Sequence, residues 1–384
     1  MRRCMISVPK EVKPSEGRVG VVPDDVRTLR SLGVLVGVEH GAGLLSGFSD
    51  EEYRSAGATI FHQVEDLYRE ADVIVKVKEP TPMEYPLLAH LRGKTIFTYL
   101  HLAGVDPELT KLLLSHEITA IAYENVTATV DGRTTYPLLV PMSRIAGTQA
   151  MRGALLRHPK EYHRKLKVVI LGCGVVGESA LEEALANSVD SIAVFESREE
   201  RRAELEFKYR TKLSVSFLPF LALDTFGRVK LNQAEVVISG VMNPGGAAAP
   251  KVLTQKHFRR MRKGCYIADV AIDQGGSTAW SKVTKPGETF TKGKNSLVFS
   301  CVPNIPGSTV PREATEALTK ATFPFVSLLG EHLLQHGNIG IHWLLKEHLD
   351  LRGGLQTFRG HLVNSAVASR HQLSGVYMPP DRLF

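Results

Sequence analysis

Lys165-Leu-Lys-Val-Val-Ile-Leu171 runs directly into Gly172-Cys-Gly174-Val-Val-Gly177, and the reading of this stretch decides the fold. Helix formers follow, then a second apolar run, Ser191-Ile-Ala-Val-Phe195, which ends on Glu196. A strand, a tight glycine turn and a helix in this order bind the diphosphate of a dinucleotide. Gly172 permits the turn, Gly174 lets a pyrophosphate approach bare backbone, and Gly177 lets the helix pack closely on the strand. Val175 and Val176 fall in the first helical turn, where free amide N–H groups and the helix dipole hold phosphate. A bare GxGxxG is weak, but this one has its strand, its helix and a carboxylate at the next strand end. Glu196 can accept hydrogen bonds from both ribose hydroxyls and repels a 2′-phosphate. Two unit charges about 4 Å apart cost roughly 4 kcal/mol at an effective dielectric near 20. Arg198, Arg201 and Arg202 offset part of that cost. The expected cofactor is NAD(H) rather than NADP(H).

With 384 residues, 43% of them apolar and 23% charged, the chain is long enough for two domains, each with its own core. The net charge of +7 reads as spread along the sequence. Its densest basic stretches, Arg259-Arg260-Met-Arg262-Lys263 and Arg198 to Arg202, are short and lack the interleaved aromatics of a nucleic-acid stripe. A diffuse positive field suits an anionic small-molecule substrate and cofactor. Four cysteines (Cys4, Cys173, Cys265, Cys301) lie far apart with no CxxC pair, and read as buried free thiols rather than metal ligands. The N-terminal run Met5-Ile-Ser-Val8 is too short for a signal peptide, and no apolar stretch approaches 18 residues. The expectation is a cytoplasmic protein without membrane or nucleic-acid partners.

Strands and helices alternate on both sides of the glycine turn. Met5–Val8, 34–38, 72–78, 95–100 and 118–123 read as strands, and 23–32 as a helix with Pro23 in its first turn and Gly33 as its stop. A second set comprises 168–171, 192–196, 236–241, 265–272 and 297–301. The expected fold class is α/β: two doubly wound, Rossmann-like domains with a cleft between them. From Pro311 onward the pattern is helical, over 312–335 and 339–348, and Pro324 is expected to kink or split the first of these helices.

Ligands bind beyond the carboxyl ends of strands in open parallel sheets. That rule selects Arg18 in the loop after the first strand, Lys78, His101, Asp273 and Asn304. Val241 and Ile272 end two strands of the second set and join the cofactor-contact candidates. Taken singly, each polar residue has an ordinary reading: a solvated cap, a turn residue, a surface charge. Their convergence beside a nicotinamide is what raises them together.

Several blocks carry a family resemblance. Val8-Pro-Lys-Glu11 with Arg18-Val19, Lys76-Val-Lys-Glu-Pro80, Phe97-Thr-Tyr-Leu-His-Leu102 and Ala120-Ile-Ala-Tyr-Glu124 resemble the N-terminal half of alanine dehydrogenases. Pro137-Leu-Leu-Val-Pro-Met-Ser143, Asp269-Val-Ala-Ile-Asp-Gln-Gly-Gly276, Asn304-Ile-Pro306 and Val310-Pro311 extend it, in order, over essentially the whole chain. The family includes the soluble subunit of nicotinamide nucleotide transhydrogenase and relatives acting on lysine or opine-type substrates. The resemblance implies a substrate domain, 1–135, rejoined by helices of 312–384, and an NAD-binding domain, 136–311. It implies that Arg18 and Lys78 clamp the substrate and that His101 is the general acid/base, with Asp273 assisting. Ser143, Glu196, Arg201 and Asn304 would contact NAD. It also implies a homo-oligomer, dimer or hexamer.

Departures from the family pattern include a short 145–167 segment, Arg144, Asn125 and Val302-Pro-Asn304. Extra residues stand at Gly104-Val105, Gly246-Ala247 and Ser308-Thr309, the last two sites bordering the expected nicotinamide pocket. The leading expectation is oxidation of L-alanine to pyruvate and ammonia. The alternatives are a relative using another amino acid or an imine, an NAD(H)-binding protein without turnover, and a transhydrogenase subunit.

Overall fold

The computed structural model describes residues 3–242 and 248–384. It divides into two compact units, Met1–Met142 with Val310–Phe384, and Ser143–Thr309. Gly246 and Ala247 lie outside the described residues.

The first unit opens with β1 (Met5–Val8), β2 (Leu35–Glu39), β3 (Thr59–Phe61), β4 (Val73–Val75), β5 (Thr95–Thr98) and β6 (Thr119–Ala122), followed by the hairpin β7 (Ala128–Val130) and β8 (Arg133–Thr135). The second unit holds β9 (Lys167–Leu171), β10 (Ser191–Glu196), β11 (Val215–Pro219), β12 (Val236–Ser239), β13 (Tyr266–Asp269), β14 (Phe290–Lys292) and β15 (Leu297–Ser300). The chain then returns to the first unit for β16 (Leu355–Phe358) and β17 (His361–Leu362).

Both sheets have one parallel core order. The first runs β17-β16-β6-β5-β4-β1-β2-β3 and the second β11-β10-β9-β12-β13-β15-β14. In each, the chain moves outward from one central strand and then from its neighbour, the doubly wound pattern with a switch point between them. Those switch points are β1/β4 and β9/β12. Strands β1, β4, β5 and β6 are buried at every residue, as helices over both faces require.

The structure corrects several expectations. The strand read over 72–78 ends at Val75, because the N–H groups of Val77 and Lys78 bond to the Glu11 carboxylate instead of a neighbouring strand. Asp273 does not end a strand: β13 stops at Asp269, and a 3-10 turn, Val270–Gln274, carries the chain on. Of the two outcomes expected at Pro324, a kink or a split, the split does not occur, since the helix Pro311–His336 runs through it. The C-terminal tail is not wholly helical, since β16 pairs antiparallel with β6. Edge strands β3, β11 and β14 escape notice by periodicity because they are short or half-buried. The charge is not evenly spread either. Residues 143–309 hold 25 Lys and Arg against 15 Asp and Glu, and the rest of the chain 22 against 25.

Candidate active site

In the first unit, the β1/β4 switch point collects the charged residues. Glu11, Glu16 and Arg18 follow β1, Lys78 follows β4, His101 follows β5 and Glu124 follows β6. Arg18 is buried, and its guanidinium donates from Nε and Nη2 to the two carboxylate oxygens of Glu16, at 2.8 and 2.5 Å. Its Nη1 lies 2.9 Å from the Met142 sulfur. Burial alone would raise the Glu16 carboxyl, but the Arg18 charge and hydrogen bonds hold it at about 2. Lys78 is half-buried, and its ammonium makes no hydrogen bond or ion pair among the described residues. Burial, and then the Arg18 charge, push its pKa below the ordinary lysine value.

His101 sits in the left-handed region, with φ 46°. A non-glycine residue there is held by its surroundings, and such conformations cluster at functional sites. Here Glu124 is the clamp. Its carboxylate accepts from the N–H of His101 at 2.6 Å and of Leu100 at 3.2 Å. The same Glu124 Oε1 lies 3.6 Å from His101 Nδ1. The Tyr99 ring stacks on the imidazole, centroids 5.7 Å apart and 8° from parallel, and its hydroxyl donates to the Leu138 carbonyl at 2.6 Å.

In the second unit, β9 enters the glycine turn and the helix Val175–Ala186 leaves it. Gly172 has φ 75°, which glycine adopts freely. A Cβ on Gly177 would stand 2.0 Å from the Gly172 carbonyl oxygen, so the helix is packed onto the turn. A Cβ on Gly174 would meet nothing within 4 Å, so the turn's outer side is open. The first intrahelical bond is Glu178 N–H to the Gly174 carbonyl at 2.9 Å, leaving the N–H groups of Val175, Val176 and Gly177 for an outside acceptor. These features fit a diphosphate.

Glu196 ends β10 with its side chain buried. It accepts from Cys173 N–H at 2.9 Å and from Arg198 N–H and Nε at 3.0 and 3.2 Å. Although burial favours the neutral acid, these bonds keep its pKa below the usual carboxylate value, so it is an anion. Arg201 is engaged on three sides, with Glu178 at 2.5 Å, Glu204 at 2.8 Å and the Cys173 carbonyl at 3.0 Å. Val241 packs against Gly172, Ile272 is buried in the 3-10 turn, and Asp273 accepts from Asn304 N–H at 3.1 Å, Asn304 itself having φ 50°. Ser143 lies half-buried on the helix Val140–Leu155.

The structure thus groups Arg18 and Lys78, sets His101 beside them through Tyr99, and separately groups the glycine turn, Glu196, Val241 and the Asp273–Asn304 pair. Sequence reasoning passed over Glu11, Glu16, Tyr99 and Glu124 as site residues, although all but Glu16 stand inside the blocks that carry the family resemblance. An acid two residues before a candidate arginine was the available signal for Glu16.

Two doubly wound sheets, one with a dinucleotide-type turn and the other with cations at its switch point, define a two-domain α/β protein of the dehydrogenase class. Sequence models of the alanine dehydrogenase/PNT family match residues 7–146 for its N-terminal domain and 145–365 for its C-terminal domain. The chain is 38% identical over 392 residues to an alanine dehydrogenase of Bacillus subtilis (strain 168), covering 98% of this chain and 97% of that protein. It is 35% identical over 391 residues to an alanine dehydrogenase of Methanococcus maripaludis, covering 98% and 99%. A solved L-alanine dehydrogenase superposes with a TM-score of 0.81 at 34% identity, over 96% of this chain and 99% of that one. A transhydrogenase structure from Sinorhizobium meliloti, at 22% identity and a TM-score of 0.74 over 94% and 99%, shares the fold. The chain belongs to the alanine dehydrogenase/PNT family.

Proposed function

We propose that this chain is an NAD-dependent alanine dehydrogenase, interconverting L-alanine with pyruvate and ammonia. The observation that carries the reading is the first sheet's switch point. There, an ammonium without a hydrogen bond or ion pair among the described residues lies beside a buried arginine and a stacked, carboxylate-held imidazole. A keto-acid carboxylate supplies a counter-ion. Full-length similarity to alanine dehydrogenases supports the same conclusion.

In the reductive direction, Lys78 and Arg18 fix the substrate carboxylate and keto oxygen, a positioning effect. His101, as imidazolium, gives a proton to the carbonyl oxygen as ammonia adds to C2. As neutral imidazole it takes a proton back from the added nitrogen, and then gives that proton to the carbinolamine hydroxyl, which departs as water and leaves an iminium. NADH, when bound, would supply the hydride that turns the iminium into alanine. Val175, Val176 and Gly177 amides hold the diphosphate, Glu196 the ribose hydroxyls, and Asp273, steadied by Asn304, assists proton transfer. Ser143, Val241, Ile272 and Arg201 complete the cofactor contacts. In the oxidative direction the same groups reverse their roles.

Initial rates with NADH or NADPH across keto acids and amines test this reading. Turnover with pyruvate, ammonia and NADH is expected; a requirement for a larger amine, or a lower KM for NADPH, overturns it. A homo-oligomer, dimer or hexamer, belongs to the proposal, supported by exposed Leu156, Leu213, Leu221 and Phe226, and sedimentation tests it. No helix among the described residues is long and apolar enough to cross a membrane. A cytoplasmic location is supported by four buried free cysteines, and cell fractionation tests it.

A further inference from the structure

We infer that Glu11 is a positioning residue for Lys78, a role distinct from its share in a buried charge cluster. The inference rests on the proposed function, in which Lys78 binds the keto-acid carboxylate. Three charged side chains, Glu11, Lys76 and Glu84, are packed under the end of β4 with almost no exposure. Lys76 Nζ donates to Glu84 Oε1 at 2.6 Å and lies 3.5 Å from Glu11 Oε2. Lys76 is therefore hydrogen-bonded by Glu84 and ion-paired with both carboxylates. Neither Lys76 nor Glu84 has a part in the chemistry above.

Glu11 has a second set of contacts that Glu84 lacks. Its Oε1 accepts from the N–H of Val77 at 2.7 Å, and its Oε2 from the N–H of Lys78 at 3.3 Å. Both amides lie just past the end of β4, where the Val77 carbonyl still accepts from Tyr99 N–H at 3.3 Å, and the carboxylate is the acceptor these two N–H groups find. On the other side of the same residue, Thr98 Oγ1 donates to the Lys78 carbonyl at 3.0 Å. The Lys78 backbone is thus gripped at N–H and C=O, and its ammonium stays beside Arg18 with no side-chain hydrogen bond or ion pair among the described residues. Burying Glu11 pushes its carboxyl up from the ordinary value, with Lys76 opposing that shift. An acid is kept in this costly place where it bonds two amides that nothing else satisfies.

Glu84 provides the control. Its Oε2 accepts from Thr81 N–H and Oγ1 at 2.8 and 3.1 Å, and no bond of Glu84 reaches the Lys78 peptide. Glu11→Gln and Glu84→Gln each remove one negative charge facing Lys76, but only the first disturbs the Lys78 amide. Two readouts apply to the full-length protein. In initial-rate assays, Glu11→Gln is expected to raise the pyruvate KM at least tenfold with the NADH KM unchanged, and Glu84→Gln to leave the pyruvate KM within about threefold. Independently, acylation of Lys78 by an amine-reactive ester, followed by peptide mass spectrometry, is expected to change in rate at least threefold in Glu11→Gln and not in Glu84→Gln.

Equal effects of the two variants would assign Glu11 to charge balance alone and overturn the inference, as would unchanged Lys78 labelling in a folded Glu11→Gln protein. Should the unsubstituted protein turn over no keto acid, the functional reading falls, and the labelling comparison still decides the role of Glu11. Should Glu11→Gln fail to fold, Glu11→Asp replaces it. The shortened carboxylate keeps the charge but draws back from the amides, and its labelling rate must then depart from that of the unsubstituted protein.

Discussion

At the scale of single residues, the candidate site is a matter of which charges are matched. Arg18 is neutralised by Glu16, whereas the Lys78 ammonium makes no hydrogen bond or ion pair among the described residues, so Lys78 is where an incoming carboxylate changes the electrostatics most. Its pKa lies below the usual lysine value of about 10.4, and only the ammonium attracts a carboxylate. Pyruvate binding to the NADH complex is measured by calorimetry without ammonia. It should weaken as pH rises through the depressed pKa, the loss setting in below pH ~10.4. Affinity that holds constant up to that pH would remove Lys78 from the carboxylate site. His101→Ala should lower kcat by at least about 10²-fold, the low end of general acid–base contributions, with the NADH dissociation constant nearly unchanged. Near-normal kcat in that variant would assign the proton transfers to another group.

Elements set what those residues can reach. The glycine turn between β9 and its helix illustrates the point, because its three glycines serve different ends. A methyl at Gly177 has no space against the Gly172 carbonyl, so Gly177→Ala must push the helix off the strand. Gly174 has open space and a φ of −70°, which alanine adopts without strain. Gly174→Ala should therefore melt within a few degrees of the parent protein, yet bind NADH at least tenfold more weakly, because its methyl stands where a diphosphate approaches. Gly177→Ala should lose both stability and binding. Thermal melts with NADH fluorescence titration separate the two; tight NADH binding by Gly174→Ala would place the phosphates elsewhere. The same logic applies beyond β4, where the amides of Val77 and Lys78 bond to the Glu11 carboxylate, whereas that of Lys76 still donates to the Phe97 carbonyl of β5.

Across the whole molecule, charge follows function. The unit with the dinucleotide-type turn carries a surplus of ten positive charges (25 against 15), and the other unit a deficit of three. A field of that sign raises the encounter rate of an anionic cofactor, and salt weakens it over a Debye length of roughly 10 Å at 0.1 M. The NADH association rate, followed by stopped-flow fluorescence, should fall several-fold between about 0.02 and 0.5 M salt. A rate independent of salt would show that the surplus lies too far from the binding site to steer.

Local grammar is written in the residues: the strand–turn–helix at Gly172–Gly177, the alternation of apolar runs with helices, and polar residues just beyond strand ends. These signals are legible because backbone conformation and burial periodicity are set over a few neighbouring residues. Only the tertiary structure decided the rest. It turned the tail into a strand against β6, moved Asp273 one 3-10 turn past its strand, and carried the helix through Pro324. It also brought Glu11 and Glu124 under Lys78 and His101. Those outcomes depend on partners distant in the chain. Glu11 and Lys78 are 67 residues apart, and a hydrogen bond across that separation leaves no periodic trace in either segment.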